Sequence, residues 1–298
     1  MVEIEFPHFS FKLEYLDERA ECTREYILTF YTERNEIEIY DVRNHRVFLR
    51  KTELHNLTLE QLLPGGKFFL NGRTYIITDF ANEFTKNQLC ARTQQVTTVI
   101  KPGFTQFFGE AFDKIFSSGL KVDLLKFGAL TRSGAAALIK AETGNEPGPN
   151  DISYLADKPV AMFRIVGLNA IHKWKSILGP WNIDVARQKF PESLRGKYAK
   201  SQLENFACES DLGDSLFESV KFEPSKGGSA SLLIIKPHVI LKGLSGKIIQ
   251  DLAKGPLKIV GATIQTMDVA EAEEFFEPYR GVLQEYSGIL TDMTSGPS

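Results

Sequence analysis

Between Glu25 and about Leu89 apolar and polar residues alternate in short runs, the two-residue period of half-buried strands. The runs are YILTFY (Tyr26–Tyr31), EIEIYDV (Glu36–Val42), RVFLRK (Arg46–Lys51) and KFFLNGRTYIITDF (Lys67–Phe80). Asn71-Gly72 splits the last run into a hairpin, because both residues tolerate positive φ. LTLEQLL (Leu57–Leu63) predicts a short amphipathic turn closed by Pro64-Gly65-Gly66. This half predicts an antiparallel β domain. Ahead of it, Val2–Leu16 carries Phe6, Phe9, Phe11 and Tyr15 without an evident element, and is expected to be an aromatic arm lying along a partner surface.

From about Gln95 strands alternate with helices. QVTTVIKPG is a buried type of strand ending in Lys101. FGEAFDKIFSSG then places Phe112, Ile115 and Phe116 on a helical core stripe. LKVDLLKFGAL and KPVAMFRIVG (Lys158–Gly167) are further strands, and LNAIHKWKSILG (Leu168–Gly179) a helix. The pattern is that of an α+β unit. An internal repeat stands out: TTVIKPG around Lys101 returns as LLIIKPH around Lys236, 135 residues later, each time followed by a helix and a second strand. The connector EPSKGGSAS (Glu223–Ser231) has linker composition. The expected units are 1–92, a β domain with its arm; 93–222, the first repeat; and 223–298, linker plus a partial second repeat.

Composition narrows the chemistry. With 35 Lys and Arg against 38 Asp and Glu, the net charge of −3 argues against nucleic acid as a partner. Cys22, Cys90 and Cys208 lie at no metal-ligand or disulfide-framework spacing, as expected in a reducing compartment. No apolar run approaches the ~20 residues of a spanning helix, and the first residues lack the pattern of a signal peptide, so no membrane association is expected.

Lys-Pro after an apolar strand, a Gly-led helix, and downstream LRGKY and ENFACESD together resemble the nucleoside diphosphate kinase family. The resemblance covers most of Val99–Asp211 and, as a half domain, Leu232–Pro297. It implies a ferredoxin-like sheet in which strand three lies between strands one and two. The half repeat would then hold two outer strands with bare edges that invite pairing with another chain. The leader, with YDVRNHRVFLRK and GRTYIITDF, is similar to the PH-like DM-ten domain that precedes tandem kinase repeats in one axonemal branch of the family.

The resemblance also implies roles. Lys101 and Arg195 match phosphate-holding positions, and Asn205 the ribose and phosphate contact. Lys175 stands where the family has a phosphate-clamping arginine, and lysine lacks the planar bidentate fork. Trp181 replaces a small hydroxyl residue and Gly103 an acidic one. In the second repeat Lys236 matches the strand-end lysine and Phe276 the base-stacking aromatic. The phosphate-carrying histidine is replaced by Cys208, whose thiolate is expected to be disfavoured by Glu209 and Asp211. His172 and His238 read as ordinary helix and loop histidines. Lys101 and Lys236 also read, without the repeat context, as solvated strand ends.

Two functions stay open. One is a non-catalytic structural component of the cilium or flagellum, a microtubule inner protein of the axonemal doublet contacting tubulin and other axonemal microtubule proteins, with the γ-tubulin complex as a further partner. The other is a nucleoside diphosphate kinase or nucleotide-binding regulator. The first requires no cofactor; the second takes ATP, GTP or a nucleoside diphosphate with Mg²⁺.

Overall fold

The computed structural model describes residues 8–17, 20, 22–54, 57–210, 213–221 and 230–298. The chain divides into two compact units, Met1–Gln94 and Gln95–Ser298.

The first unit is one antiparallel sheet. Its strands are β1 (His8–Asp17), β2 (Cys22–Tyr31), β3 (Glu36–Asp41), β4 (Arg46–Glu53), β5 (Lys67–Leu70) and β6 (Arg73–Phe80), followed by helix α1 (Glu83–Cys90). The spatial order is β4-β3-β2-β1-β6-β5. Alternate residues point to one buried face: Phe9, Phe11 and Leu13 from β1, Tyr26, Leu28 and Phe30 from β2, and Tyr75 and Ile77 from β6. The supposed aromatic arm is therefore corrected over residues 8–16: it forms β1, near the middle of the sheet. Phe11 sits opposite Leu28 on one side and Phe80 on the other. Phe9, Phe11 and Leu13 have the two-residue period of a strand, and with β2 and β6 as partners they build the core. Phe6 lies outside the described residues.

The Asn71-Gly72 turn is as expected, with φ of 51° and 77°, and it brings Leu70 opposite Arg73. Helix α1 lacks an apolar periodicity strong enough to announce it. Asn82 caps it by accepting from the Thr85 amide at 2.8 Å, and the Thr85 hydroxyl accepts from the Ser10 amide at 2.9 Å, tying the helix to β1.

The second unit contains β7 (Thr93–Ile100), α2 (Phe108–Ser117), β8 (Lys121–Leu130), α3 (Arg132–Thr143), α4 (Pro149–Leu155), β9 (Pro159–Leu168), α5 (Ala170–Leu178), α6 (Ile183–Lys189), α7 (Leu194–Tyr198), β10 (Ala207–Ser210), α8 (Asp214–Glu218) and β11 (Val220–Lys221). The sheet order β10-β7-β9-β8-β11 puts the third strand of the repeat between the first and second. β9 is buried on both faces, and its alternation divides the core. Ala161, Phe163 and Ile165 join Phe108, Phe112 and Trp174 in one cluster, while Val160 and Met162 join Leu138, Leu155 and Cys208 in the other.

After the connector, most of which lies outside the described residues, come α9 (Pro237–Leu241), α10 (Ser245–Lys254), β12 (Ala262–Thr263), α11 (Val269–Phe276) and α12 (Tyr286–Met293). The strand expected at LLIIK is not formed; residues 230–236 have no regular structure, and Leu232 and Leu233 are exposed. A strand needs a lateral partner, and among the described residues none lies beside it. The second strand of the half repeat does find one. β12 pairs antiparallel with β8, Ala262 opposite Phe127 and Thr263 opposite Lys126, continuing the edge that β11 occupies. The bare edge expected to recruit another chain is thus met, at this strand, from within the same chain.

The equivalent helices of the two repeats also meet. α2 and α10 approach through Gly109 and Gly246, and a Cβ on Gly246 would fall 2.6 Å from the Gly109 carbonyl oxygen and 2.7 Å from the Asp113 nitrogen. Ile249 of α10 is buried in the cluster of Phe108 and Phe112. Gly246→Ala is expected to destabilise the chain by about 1–3 kcal/mol through overpacking of backbone on backbone. Gly288→Ala, where an added Cβ meets nothing within 4 Å, is expected to be neutral or slightly stabilising. Urea unfolding of both variants checks this, and equal effects would show that the helices do not approach through these glycines.

Candidate functional site

β7 ends at Ile100, and the chain turns at Lys101-Pro102-Gly103, with Gly103 at φ 86°. The turn carries Lys101 inward: the residue is 1% exposed. Its Nζ donates to Glu142 Oε1 and Oε2 at 2.9 and 3.1 Å and to the Leu203 carbonyl at 3.2 Å. Glu142 comes from the last turn of α3, which Thr131 caps at its start and Gly144, at φ 72°, closes. A carboxylate there opposes the helix dipole, and the Lys101 ammonium offsets that opposition. Removing one member of such a buried pair costs about 3–5 kcal/mol.

Arg195, from α7, is similarly enclosed. It donates to the Gly179 carbonyl at 2.8 Å and the Ala207 carbonyl at 3.0 Å, while its Nε has no partner among the described residues. Burial lowers its pKa, partly countered by Glu209, Cys208 and Glu142. Asn205 is fully buried, and among the described residues neither its Oδ1 nor its Nδ2 finds a partner. Phe206 follows at φ 80°, an unusual conformation for an aromatic residue, and its carbonyl accepts from the Lys101 amide at 2.9 Å. The Trp181 ring lies 5.8 Å from Lys101 Nζ and 5.2 Å from Arg195 Cζ, covering both cations. Lys175, at the end of α5, is largely exposed and 3.7 Å from Glu209 Oε2.

Cys208 lies in β10 opposite Val99, 1% exposed, with its thiol 3.8 Å from the Val99 carbonyl oxygen. It packs with Leu138, Met162 and Leu216 in the apolar cluster. Burial pushes the thiol up to about 12, Glu142 adds to this, and Lys101 and Arg195 oppose it. Of the two acids expected to disfavour the thiolate, Glu209 lies 3.7 Å from Lys175 Nζ through its Oε2, and Asp211 lies outside the described residues.

Of the expected residues, Lys101, Arg195 and Trp181 come together, Asn205 and Cys208 join them through the Phe206 turn and β10, and Lys175 sits at the margin. Among the described residues no hydrogen bond, ion pair or ring contact joins Lys236 or Phe276 to this group. Lys236 precedes α9, and Phe276 ends α11, packed edge-on against Phe275. His238 is in α9, not in a loop, and its Nδ1 is 2.7 Å from Asp292 Oδ2 of α12. Glu142 was missed by sequence reasoning. Its signal was an acidic residue in the final turn of a helix, which is too common to single one out.

The nucleoside diphosphate kinase family profile matches residues 94–223 and 229–298. The chain belongs to the nucleoside diphosphate kinase family. It is 32% identical to Nucleoside diphosphate kinase homolog 7 of Rattus norvegicus over 97% of its own length and 76% of that protein. The homolog 7 of Mus musculus matches with the same identity and coverage. The solved structure of the Aquifex aeolicus nucleoside diphosphate kinase aligns with 43% of this chain and 92% of its own, at 20% identity and TM-score 0.37.

The family's ligand, a nucleotide with Mg²⁺, does not fit these residues as they stand. Lys101 is neutralised by Glu142, two of the Arg195 nitrogens are spent on carbonyl groups, and Trp181 covers both. Among the described residues no group of three or more His, Cys, Asp and Glu is placed to hold a metal ion.

The folded state holds the Cys208 proton more tightly than the unfolded chain. The resulting stability is full below the ordinary thiol pKa of ~8.5 and is lost as pH rises through the folded value of about 12. The native chain should therefore lose stability more steeply than Cys208→Ala over that interval in urea unfolding; parallel curves would contradict the buried thiol. In the folded protein a thiol reagent should label exposed Cys90 and spare Cys208 until the chain unfolds, as mass spectrometry would read.

Proposed function

We propose that this chain is a non-catalytic member of its family that works through its surfaces, as a structural component of the ciliary or flagellar axoneme. The observation that carries the non-catalytic reading is Cys208. A phosphate carrier must present a nucleophilic atom to the γ-phosphorus. Here the atom at the carrier position is a thiol 1% exposed, with a pKa pushed up to about 12, packed among leucines. The axonemal reading rests on the resemblance of the leader and the tandem repeats to the axonemal branch. It makes tubulin and neighbouring doublet proteins the partners of this microtubule inner protein. A near-neutral chain of linked modules suits multivalent contact in an ordered lattice.

The competing reading, a nucleotide-binding regulator, has one observation in its favour: the unpartnered buried polar atoms of Asn205 and Arg195. The pairing of Lys101 with Glu142 weighs against it.

Two measurements test the proposal. With labelled ATP and a second nucleoside diphosphate, neither the native chain nor Cys208→His is expected to transfer phosphate, because the variant leaves Lys101 paired with Glu142. Robust transfer by the native chain would overturn the non-catalytic reading. Sedimentation with stabilised microtubules is expected to carry the chain into the pellet, and its absence there would remove the tubulin contact.

A further inference from the structure

We infer that Glu142 is an intramolecular substitute for a phosphate: its carboxylate holds the Lys101 ammonium in the place of an incoming anion and closes a latent phosphoryl-binding pocket made of Lys101, Arg195 and Asn205. This deepens the reading of the site given above, from which it takes the position of the pocket.

Three features carry it. Both carboxylate oxygens of Glu142 bind one nitrogen, at 2.9 and 3.1 Å, and the two side chains are 1% and 8% exposed. A doubly engaged, desolvated carboxylate is the chemical analogue of two phosphoryl oxygens on the same ammonium. Its charge also reaches beyond Lys101: it partly counters the lowering of the Arg195 pKa by burial and adds to the raising of the Cys208 pKa by burial. The polar atoms left over are those that a phosphoryl ligand engages: Arg195 Nε and Asn205 Nδ2 as donors, buried and without a partner among the described residues. The lysine therefore has its anion while its neighbours lack theirs. An arriving phosphate meets the Glu142 charge and must displace a partner already seated.

Neutralising Glu142 without shortening it, Glu142→Gln, should convert the pocket from anion-excluding to anion-binding. Trp181 supplies the readout, because its ring lies over both cations, whereas Trp174 is fully buried elsewhere in the core. The full chain is titrated with inorganic phosphate, ADP and adenosine while Trp181 fluorescence is followed. The native chain should show no saturable change. Glu142→Gln should saturate with phosphate and with ADP but not with adenosine, at affinities at least about tenfold above the native chain, a difference of about 1.4 kcal/mol. Lys101→Met in the same background should abolish the response. A phosphate response shared with ADP identifies the phosphoryl group as the ligand; a response to ADP alone adds a requirement for the nucleoside.

Equal binding by the native chain, or silence of a folded Glu142→Gln, overturns the inference. Where the variant proves poorly folded, phosphate should raise its melting temperature and chloride at matched ionic strength should not; the lack of that difference also overturns it. Phosphate transfer by the native chain would instead strike the non-catalytic reading, so the two failures are told apart by transfer and by binding.

Discussion

An ammonium group taken out of water keeps its charge only beside an anion, and the first repeat of this chain is organised around that demand at Lys101. The lysine is held at a strand end by the sheet, so it cannot withdraw into solvent. Glu142 reaches it from α3 and Leu203 from the loop before β10. Those contacts join three parts of the chain distant in sequence, and they fix the segment in which Arg195, Asn205 and Cys208 also lie. The resemblance to the family's enzymes would make Lys101 and Arg195 charges that serve a ligand. Here one of them is satisfied from within, and the polarity retained around it is structural in effect: a Lys101 without Glu142 would leave a buried unpaired charge.

The second organising feature is the meeting of two unequal copies of one unit. Among the described residues the half repeat builds no sheet of its own. It places a two-residue strand on the edge of β8 and a helix on α2 through a glycine contact, so that like elements of the two copies face each other. The close approach is possible because neither Gly109 nor Gly246 has a Cβ, and it buries Ile249 in the core of the first copy. Outside this contact Leu232, Leu241, Leu257 and Val282 are more than half exposed.

Much of this was legible along the chain. The period-two runs marked β2 to β6, Asn71-Gly72 marked the hairpin, and the Lys-Pro repeat marked the tandem, because each depends on local geometry that neighbouring residues specify by themselves. What misled was context. The Phe9, Phe11 and Leu13 alternation was short enough to pass for an arm, and the LLIIK run has strand composition but lacks a neighbour to pair with among the described residues.

The sequence by itself determined the class of the fold and the family. Only the tertiary structure decided what surrounds the site residues. Cys208 is buried because β10 turns it into an apolar cluster, and Lys101 is paired because α3 ends beside it. Charge pairing and desolvation are set by distances through space between residues some forty to a hundred positions apart, and no periodicity or spacing along a chain records them.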